Sequence, residues 1–133
     1  MIILAILDTL NQLSDVLKLQ GVSTKQIEQA EKRLGLHFSE EYKAYTSAFG
    51  AIAVNGSEYT GVVSDPNLDV VRSTLEGREV TPQAQMDWYV VKDPHFCDIL
   101  IWQDYNGFIY QTSPESQTAK ICNSLEEYIQ KHG

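Results

Sequence analysis

The sequence has few cysteines, prolines and basic residues, and each shortage excludes a class of protein. Two cysteines, Cys97 and Cys122, are too few for a disulfide framework and match no zinc-ligand spacing, so reduced thiols and a cytoplasmic location are expected. Four prolines in 133 residues leave no proline-rich linker, and we find no repeat or low-complexity tract. We therefore expect a single domain over residues 1–133.

Long apolar runs and well-known catalytic motifs are also missing. The apolar stretch Met1–Leu7 is too short to cross a bilayer and has no basic lead or small-residue cleavage site, so we expect a buried first helix or strand and no membrane partner. The chain contains no P-loop, no GxGxxG and no HExxH.

The charge is acidic and unevenly distributed. Eighteen aspartates and glutamates against ten lysines and arginines give a net charge of −8, which disfavours direct binding of nucleic acid and favours basic proteins. Residues 51–119 hold ten acids and three bases, a net of −7, whereas residues 1–50 hold six acids and five bases, a net of −1. One side of the folded protein should be strongly negative, either for solubility or to steer a partner.

The first third of the chain is predicted to be helical. Apolar residues at helical spacing predict a first helix over residues 3–18. Ser23 and Gln26 form a capping-box pattern that predicts the start of a second helix, and Gly35 predicts its left-handed end. Ser39 is the predicted N-cap of a third helix.

After residue 50 the pattern changes to strands. Asn55-Gly56 predicts a tight hairpin turn, and Asp65-Pro66 predicts the start of a fourth helix. Ser124 predicts the cap of a C-terminal helix. The late strands are predicted at residues 88–91, 99–102, 108–111 and 118–122. The expected fold class is α+β, with N-terminal helices packed on a mainly antiparallel sheet of about four to six strands, a helix inserted before the late strands and a C-terminal helix.

One short stretch, His95-Phe96-Cys97-Asp98, combines a base, a thiol and an acid. On a strand, His95 and Cys97 would share a face, but nothing nearby resembles a nucleophile elbow or a helix N-terminus that would activate the thiol. With Asp93 the same residues match no recognised metal-ligand spacing. We therefore predict no catalytic residue, no metal site and no cofactor.

Three blocks in this order resemble the SUKH superfamily of SMI/KNR-like proteins. The blocks are Ile27–Glu31 leading into Leu34-Gly35 and Phe38–Lys43, then Val71–Arg78 before Pro82, then Asp98–Trp102 followed by Asn106-Gly107. Each block alone is weakly specific, but their order and spacing cover residues 23–129.

The resemblance implies a non-enzymatic binding protein. Bacterial members of this superfamily are commonly immunity proteins that bind and neutralise toxins, often nucleases, and fungal members are regulatory scaffolds. The expected partner is a basic protein toxin, with a regulatory or scaffolding role as the alternative, and the expected state is a monomer or weak homodimer.

The candidate binding residues come from the acidic segment. Acidic loops would be steered towards a basic toxin surface, and exposed aromatic residues would anchor the contact. For each acid the alternative is an ordinary solvated carboxylate, and for Trp88 and Trp102 it is core packing. The candidates are Glu58, Tyr59, Asp65, Asp69, Asp87, Trp88, Asp93, Asp98, Asp104 and Tyr105.

Overall fold

The computed structural model describes residues 2–132, with side chains from residue 5 onward. Those residues form five helices and seven strands. The helices are α1 Ile2–Gln12, α2 Thr24–Leu34, α3 Glu40–Ala48, α4 Val70–Val80 and α5 Leu125–His132. The strands are β1 Val16–Gln20, β2 Phe49–Val54, β3 Ser57–Tyr59, β4 Tyr89–Lys92, β5 Leu100–Gln103, β6 Ile109–Ser113 and β7 Ser116–Cys122.

The strands form two antiparallel sheets, which confirms the α+β class. The first sheet has the order β1-β2-β3 and the second has the order β4-β5-β6-β7. The helix inserted before the late strands and the C-terminal helix are present as α4 and α5. The predicted single sheet is instead two sheets. β1 is an unpredicted strand beside β2, and α4 lies between the two groups of strands in the chain.

The first helix is shorter than predicted. It ends at Gln12, and residues 16–18, predicted as helix, belong to β1. Val16 pairs with Val54 and Lys18 with Ile52. The backbone hydrogen-bonding groups of this segment therefore pair with a strand that is distant in the sequence. Hydrogen bonds to a distant strand override the local helical spacing here.

The predicted capping box and left-handed end of α2, and the first hairpin turn, are confirmed. Ser23 and Gln26 bond each other's backbone N–H groups in a full capping box. Gly35 ends α2 in the left-handed region with φ of 69°. Asn55 and Gly56, with φ of 51° and 83°, form the β2–β3 turn. Two positive φ values in succession are what a two-residue turn of the primed type requires.

The fourth helix starts later than predicted. Asp69 is its N-cap and α4 begins at Val70, whereas Asp65 closes a separate turn by accepting a hydrogen bond from the Asn67 N–H at 2.9 Å. Gly77 lies buried inside α4, where a Cβ atom would be 3.0 Å from Trp102 Cη2. Because residue 77 has no side chain, α4 packs closely on side chains of both β4 and β5.

The core has a main part and a smaller part. The main cluster lies between the helices and both sheets, and includes Phe38 and Tyr42 from the α3 region with Tyr89 from β4. The rings of Phe38 and Tyr89 pack edge to face with centroids 4.8 Å apart. The smaller cluster, under α4, consists of Trp88, Val90, Leu100 and Trp102.

Glu41 connects α3 to α5. Its buried carboxylate accepts hydrogen bonds from the Leu125 and Glu126 N–H groups at 2.8 and 3.0 Å, and from Gln103 Nε2 at 2.7 Å. Burial raises the pKa of Glu41, and the three donors offset part of that effect. Glu41 therefore caps α5 from a neighbouring helix.

Candidate partner-binding surface

Three of the predicted binding residues have buried side chains. Tyr59 is 1% exposed and belongs to the main core. Trp88 is 7% exposed and stacks on Tyr110 with ring centroids 4.1 Å apart. Asp104 is 7% exposed, and its carboxylate accepts hydrogen bonds from the Phe108 N–H and the Tyr110 hydroxyl. These residues shape the fold beneath the surface and do not present their side chains to a partner.

Two further acids bind backbone groups near them in sequence. Asp69 accepts a hydrogen bond from the Val71 N–H at 3.0 Å as the cap of α4. Asp65, which is exposed, holds its own turn. Both line a wide groove against α2 to which Arg33 and three glutamines also contribute. The charge of that groove is therefore mixed.

Glu58, Asp93 and Asp98 lie around one loop, residues 93–99, which joins β4 to β5. Glu58 and Asp93 line one small groove, and Asp93 and Asp98 line the next. Asp93 therefore links the two grooves into a continuous surface. We call Glu58, Asp93 and Asp98 the acidic band.

The remaining candidates, Asp87 and Tyr105, are exposed outside the acidic band. The ring of Tyr105 lies 6.4 Å from that of His37, on the side of the molecule formed by the α2–α3 connection. Asp87 precedes β4 near Tyr110. Burial raises the pKa of Tyr110 to about 12, and its hydrogen bond to Asp104 and the charge of Asp87 act in the same direction.

The β4–β5 loop is a series of turns, so His95 and Cys97 are not on a strand. Asp93 Oδ1 accepts a hydrogen bond from the His95 N–H at 2.8 Å, and the Phe96 carbonyl accepts one from the Ile99 N–H at 3.1 Å. His95, Cys97 and Asp98 have φ of 57°, 54° and 55°. Such left-handed conformations are uncommon for residues other than glycine and persist only where the surroundings determine them.

The loop does not assemble a nucleophile and base. His95 Nδ1 lies 3.6 Å from Asp93 Oδ2, and both side chains reach solvent. The hydrogen bonds found over residues 2–132 include none between His95 and Cys97. Cys97 is a free, exposed thiol, and Cys122 is a free, buried one.

Residues 51–119 contain three basic residues, and two of them form ion pairs or hydrogen bonds within the protein. Arg72 pairs with Glu76 at 3.0 Å. Arg78 Nη2 donates hydrogen bonds to the carbonyls of Leu34 and Met86 at 3.0 and 2.9 Å, which ties α4 to its neighbours.

The third base, Lys92, is withdrawn from the surface. Lys92 is 9% exposed, and its Nζ lies 5.1 Å from the ring centroid of Tyr59 and 5.3 Å from that of Tyr128. Burial lowers its pKa, and the negative faces of the two rings support the ammonium group. The acids around Lys92 therefore dominate the local surface.

An open groove of about 350 Å³ separates α4 from the β4–β5 loop. Gly77 and Leu100 line its floor. Because residue 77 has no side chain, the groove extends down to Leu100 of β5. Val80 and Phe96, also in its lining, are 60% and 65% exposed. Neither of these apolar residues was predicted from the sequence. The available signal was Phe96, a large aromatic residue in a segment of turn-forming residues.

Neither metal ligands nor membrane-spanning helices are found in the described part of the chain. Over residues 2–132, His, Cys, Asp and Glu side chains form no group of three or more suited to a metal ion. Among the same residues, no helix has the length and apolar character needed to cross a membrane.

Comparison with known families gives one clear result. A family model described as SUKH_5, SMI1-KNR4 cell-wall, matches residues 3–132. The match includes all seven strands and nearly all of the five helices. No curated protein matches the chain.

Proposed function

Since the chain belongs to the SUKH_5 family of SMI1-KNR4 proteins, we propose that it is a non-enzymatic immunity protein that binds and neutralises a cognate basic toxin. The immunity-type role is consistent with the family. Neutralisation would be stoichiometric, because the protein occupies the toxin surface and makes or breaks no bond. We place this activity in the cytoplasm, where two free thiols are expected to stay reduced.

The observation that supports this proposal is the imbalance of exposed charge. Glu58 and Asp98 of the acidic band are exposed and Asp93 is half-buried. The three bases of the same segment are ion-paired, bonded to carbonyls or held between aromatic rings. A nuclease toxin needs a basic surface to hold phosphate, so an acidic surface would be steered to it and would compete for the same site.

A regulatory or scaffolding role is the second candidate. The description of the matching family model, SMI1-KNR4 cell-wall, favours this alternative because it refers to the cell wall. A scaffold would also be a non-catalytic binding protein, so the two candidates differ in partner and not in chemistry.

The test is growth rescue by co-expression. The gene is cloned beside the C-terminal domain of any large secreted protein encoded next to it, and growth is followed when that domain is induced. We expect growth to be restored by the wild-type protein and the two proteins to co-purify as a complex. Arrest of growth with both proteins expressed and folded would exclude immunity towards that domain, and co-purification with an unrelated cytosolic protein instead would favour the scaffold.

A further inference from the structure

We propose that the groove between α4 and the β4–β5 loop binds a cationic segment of the partner, with one aliphatic or aromatic side chain of that segment inserted between Val80 and Phe96. This inference rests on the proposed binding function and names the place and chemistry of the contact. It assigns a role to apolar residues that the acidic surface alone does not explain.

The groove offers an apolar floor with exposed apolar sides. Leu100 lies at the bottom, and Gly77 adds no side chain above it. Val80 and Phe96 are more than half exposed although both are large and apolar. Two such residues facing one groove leave apolar surface in water that a single inserted side chain would cover.

The charges around the groove select a cationic partner. Glu76, Asp93 and Asp98 line it, and no lysine or arginine of the described chain does. Glu76 pairs with Arg72, and Asp93 lies near His95, so Asp98 is the carboxylate with no ion-pair partner among those found. A lysine or arginine flanking the inserted side chain would meet these acids, whereas an acidic segment would be repelled.

A larger groove, of about 630 Å³, does not make this selection. Arg33 and three glutamines line it. Its two acids, Asp65 and Asp69, already accept hydrogen bonds from nearby backbone N–H groups. Its mixed charge therefore favours no class of partner.

The test uses peptides, because they report on the groove without the natural partner. The probe is acetyl-Lys-Arg-Leu-Arg-Lys-amide, compared with a peptide carrying glycine in place of leucine and with one carrying glutamates in place of the four basic residues. Binding is followed by two-dimensional ¹H–¹⁵N NMR titration of the full chain at low salt. We expect the leucine peptide to shift the amide signals of Gly77, Phe96 and Leu100, and the other two peptides to bind about tenfold more weakly or not at all.

Matched double variants test whether the peptide binds in the groove. Val80→Ser with Phe96→Ser should weaken binding of the leucine peptide about tenfold, whereas Leu17→Ser with Met86→Ser, which also removes two exposed apolar side chains, should leave it unchanged. Asp98→Asn should weaken binding without disturbing the loop, because asparagine tolerates the left-handed conformation at residue 98.

Two results would overturn the inference. One is equal binding of the leucine and glycine peptides, and the other is a set of shifted signals that lies outside the groove. The proposed function is judged separately. Rescue by the wild type that persists in the Val80→Ser, Phe96→Ser variant would reject the groove and keep immunity, whereas failure of rescue by the wild type would reject immunity whatever the peptides do.

Discussion

Glu41 is the residue whose role depends most on the folded structure. Its carboxylate accepts three hydrogen bonds, two of them from the first N–H groups of α5. Gln103, the third donor, accepts in turn from the hydroxyls of Ser39 and Tyr89. The start of α3, the end of β5 and the start of α5 therefore share one buried polar network, in which loss of a member leaves unpaired groups.

Glu41→Gln should lower the free energy of unfolding by about 1–3 kcal/mol. The amide keeps one oxygen for Leu125 and Gln103, but its NH₂ group then faces the Glu126 N–H, and two donors cannot pair. Urea denaturation measures the loss. Glu40→Gln, at the exposed neighbouring position, is the control and should change stability by less than about 0.5 kcal/mol. Equal stability of both variants would show that the network does not hold α5.

The contribution of Glu41 to stability should also depend on pH. Burial raises its pKa in the folded chain above the ordinary value of 4.5. A group of this kind contributes stability that is complete below the unfolded pKa and is lost as the pH rises through the folded pKa. The stability difference between wild type and Glu41→Gln should therefore narrow as the pH rises from 4.5 towards neutrality, since all other carboxylates are common to both proteins. A difference that widens over this range would contradict the raised pKa.

Individual residues were predictable where their partners are close in sequence. Ser23, Gly35 and Asn55 act on the backbone within four residues, and the pattern around each predicts its conformation. Asp104 and Glu41 were not predictable in this way. Their burial is decided by neighbours such as Tyr110 and α5, which only the fold brings to them.

At the scale of elements, the contact of α4 with the second sheet depends on Gly77. A glycine in a helix costs about 1 kcal/mol relative to alanine, so its presence needs a packing reason. The Trp102, Leu100 and Val90 side chains, which meet the helix at this position, provide that reason.

Gly77→Ala should destabilise the protein by about 1 kcal/mol, because overpacking exceeds the gain in helix propensity. A Cβ atom would lie 3.0 Å from Trp102 Cη2 and 3.1 Å from Leu100 Cδ1, and both side chains are already packed. Thermal unfolding and the tryptophan emission spectrum report the change. Glu79→Ala, exposed on the same helix, is the matched control and should be nearly neutral. A gain in stability from Gly77→Ala would show that α4 has room to move away from the sheet.

The strand β1 and the groove both escaped prediction because each is made by two distant segments. β1 exists through its pairing with β2, and its leucines continue the helical spacing of α1, so the local pattern favoured the wrong element. The groove combines Val80 from α4 with Phe96 from the β4–β5 loop. The sequence supplied the acids of this region, but not which of them share a surface.

At the scale of the whole molecule, the position of the negative charge should affect the rate of association with the toxin more than the total negative charge does. Glu58→Gln, Asp93→Asn and Asp98→Asn together remove the acidic band and change the net charge from −8 to −5. The triple variant Asp8→Asn, Asp15→Asn and Glu28→Gln makes the same change at exposed positions in residues 1–50.

The acidic-band variant should associate with the cognate toxin domain about tenfold more slowly than wild type at low salt, and the control variant should be close to wild type. Stopped-flow association rates at increasing ionic strength make the measurement. The ratio of the wild-type association rate to that of the acidic-band variant should fall as salt screens the charges. Equal slowing in both variants would mean that net charge alone steers the encounter.

The two sheets should unfold together, and the tryptophans provide the test. Trp88 and Trp102 both lie in the smaller cluster against the second sheet, so their fluorescence reports that sheet, whereas far-ultraviolet circular dichroism reports all helices. Thr60, after the first sheet, donates hydrogen bonds to the carbonyls of Val90 and Val91 in the second, and the main core takes side chains from both sheets. The two signals should therefore give the same urea midpoint and the same m-value. A separate fluorescence transition would mean that the second sheet is an independent unit, and the prediction of one domain over residues 1–133 would then be wrong.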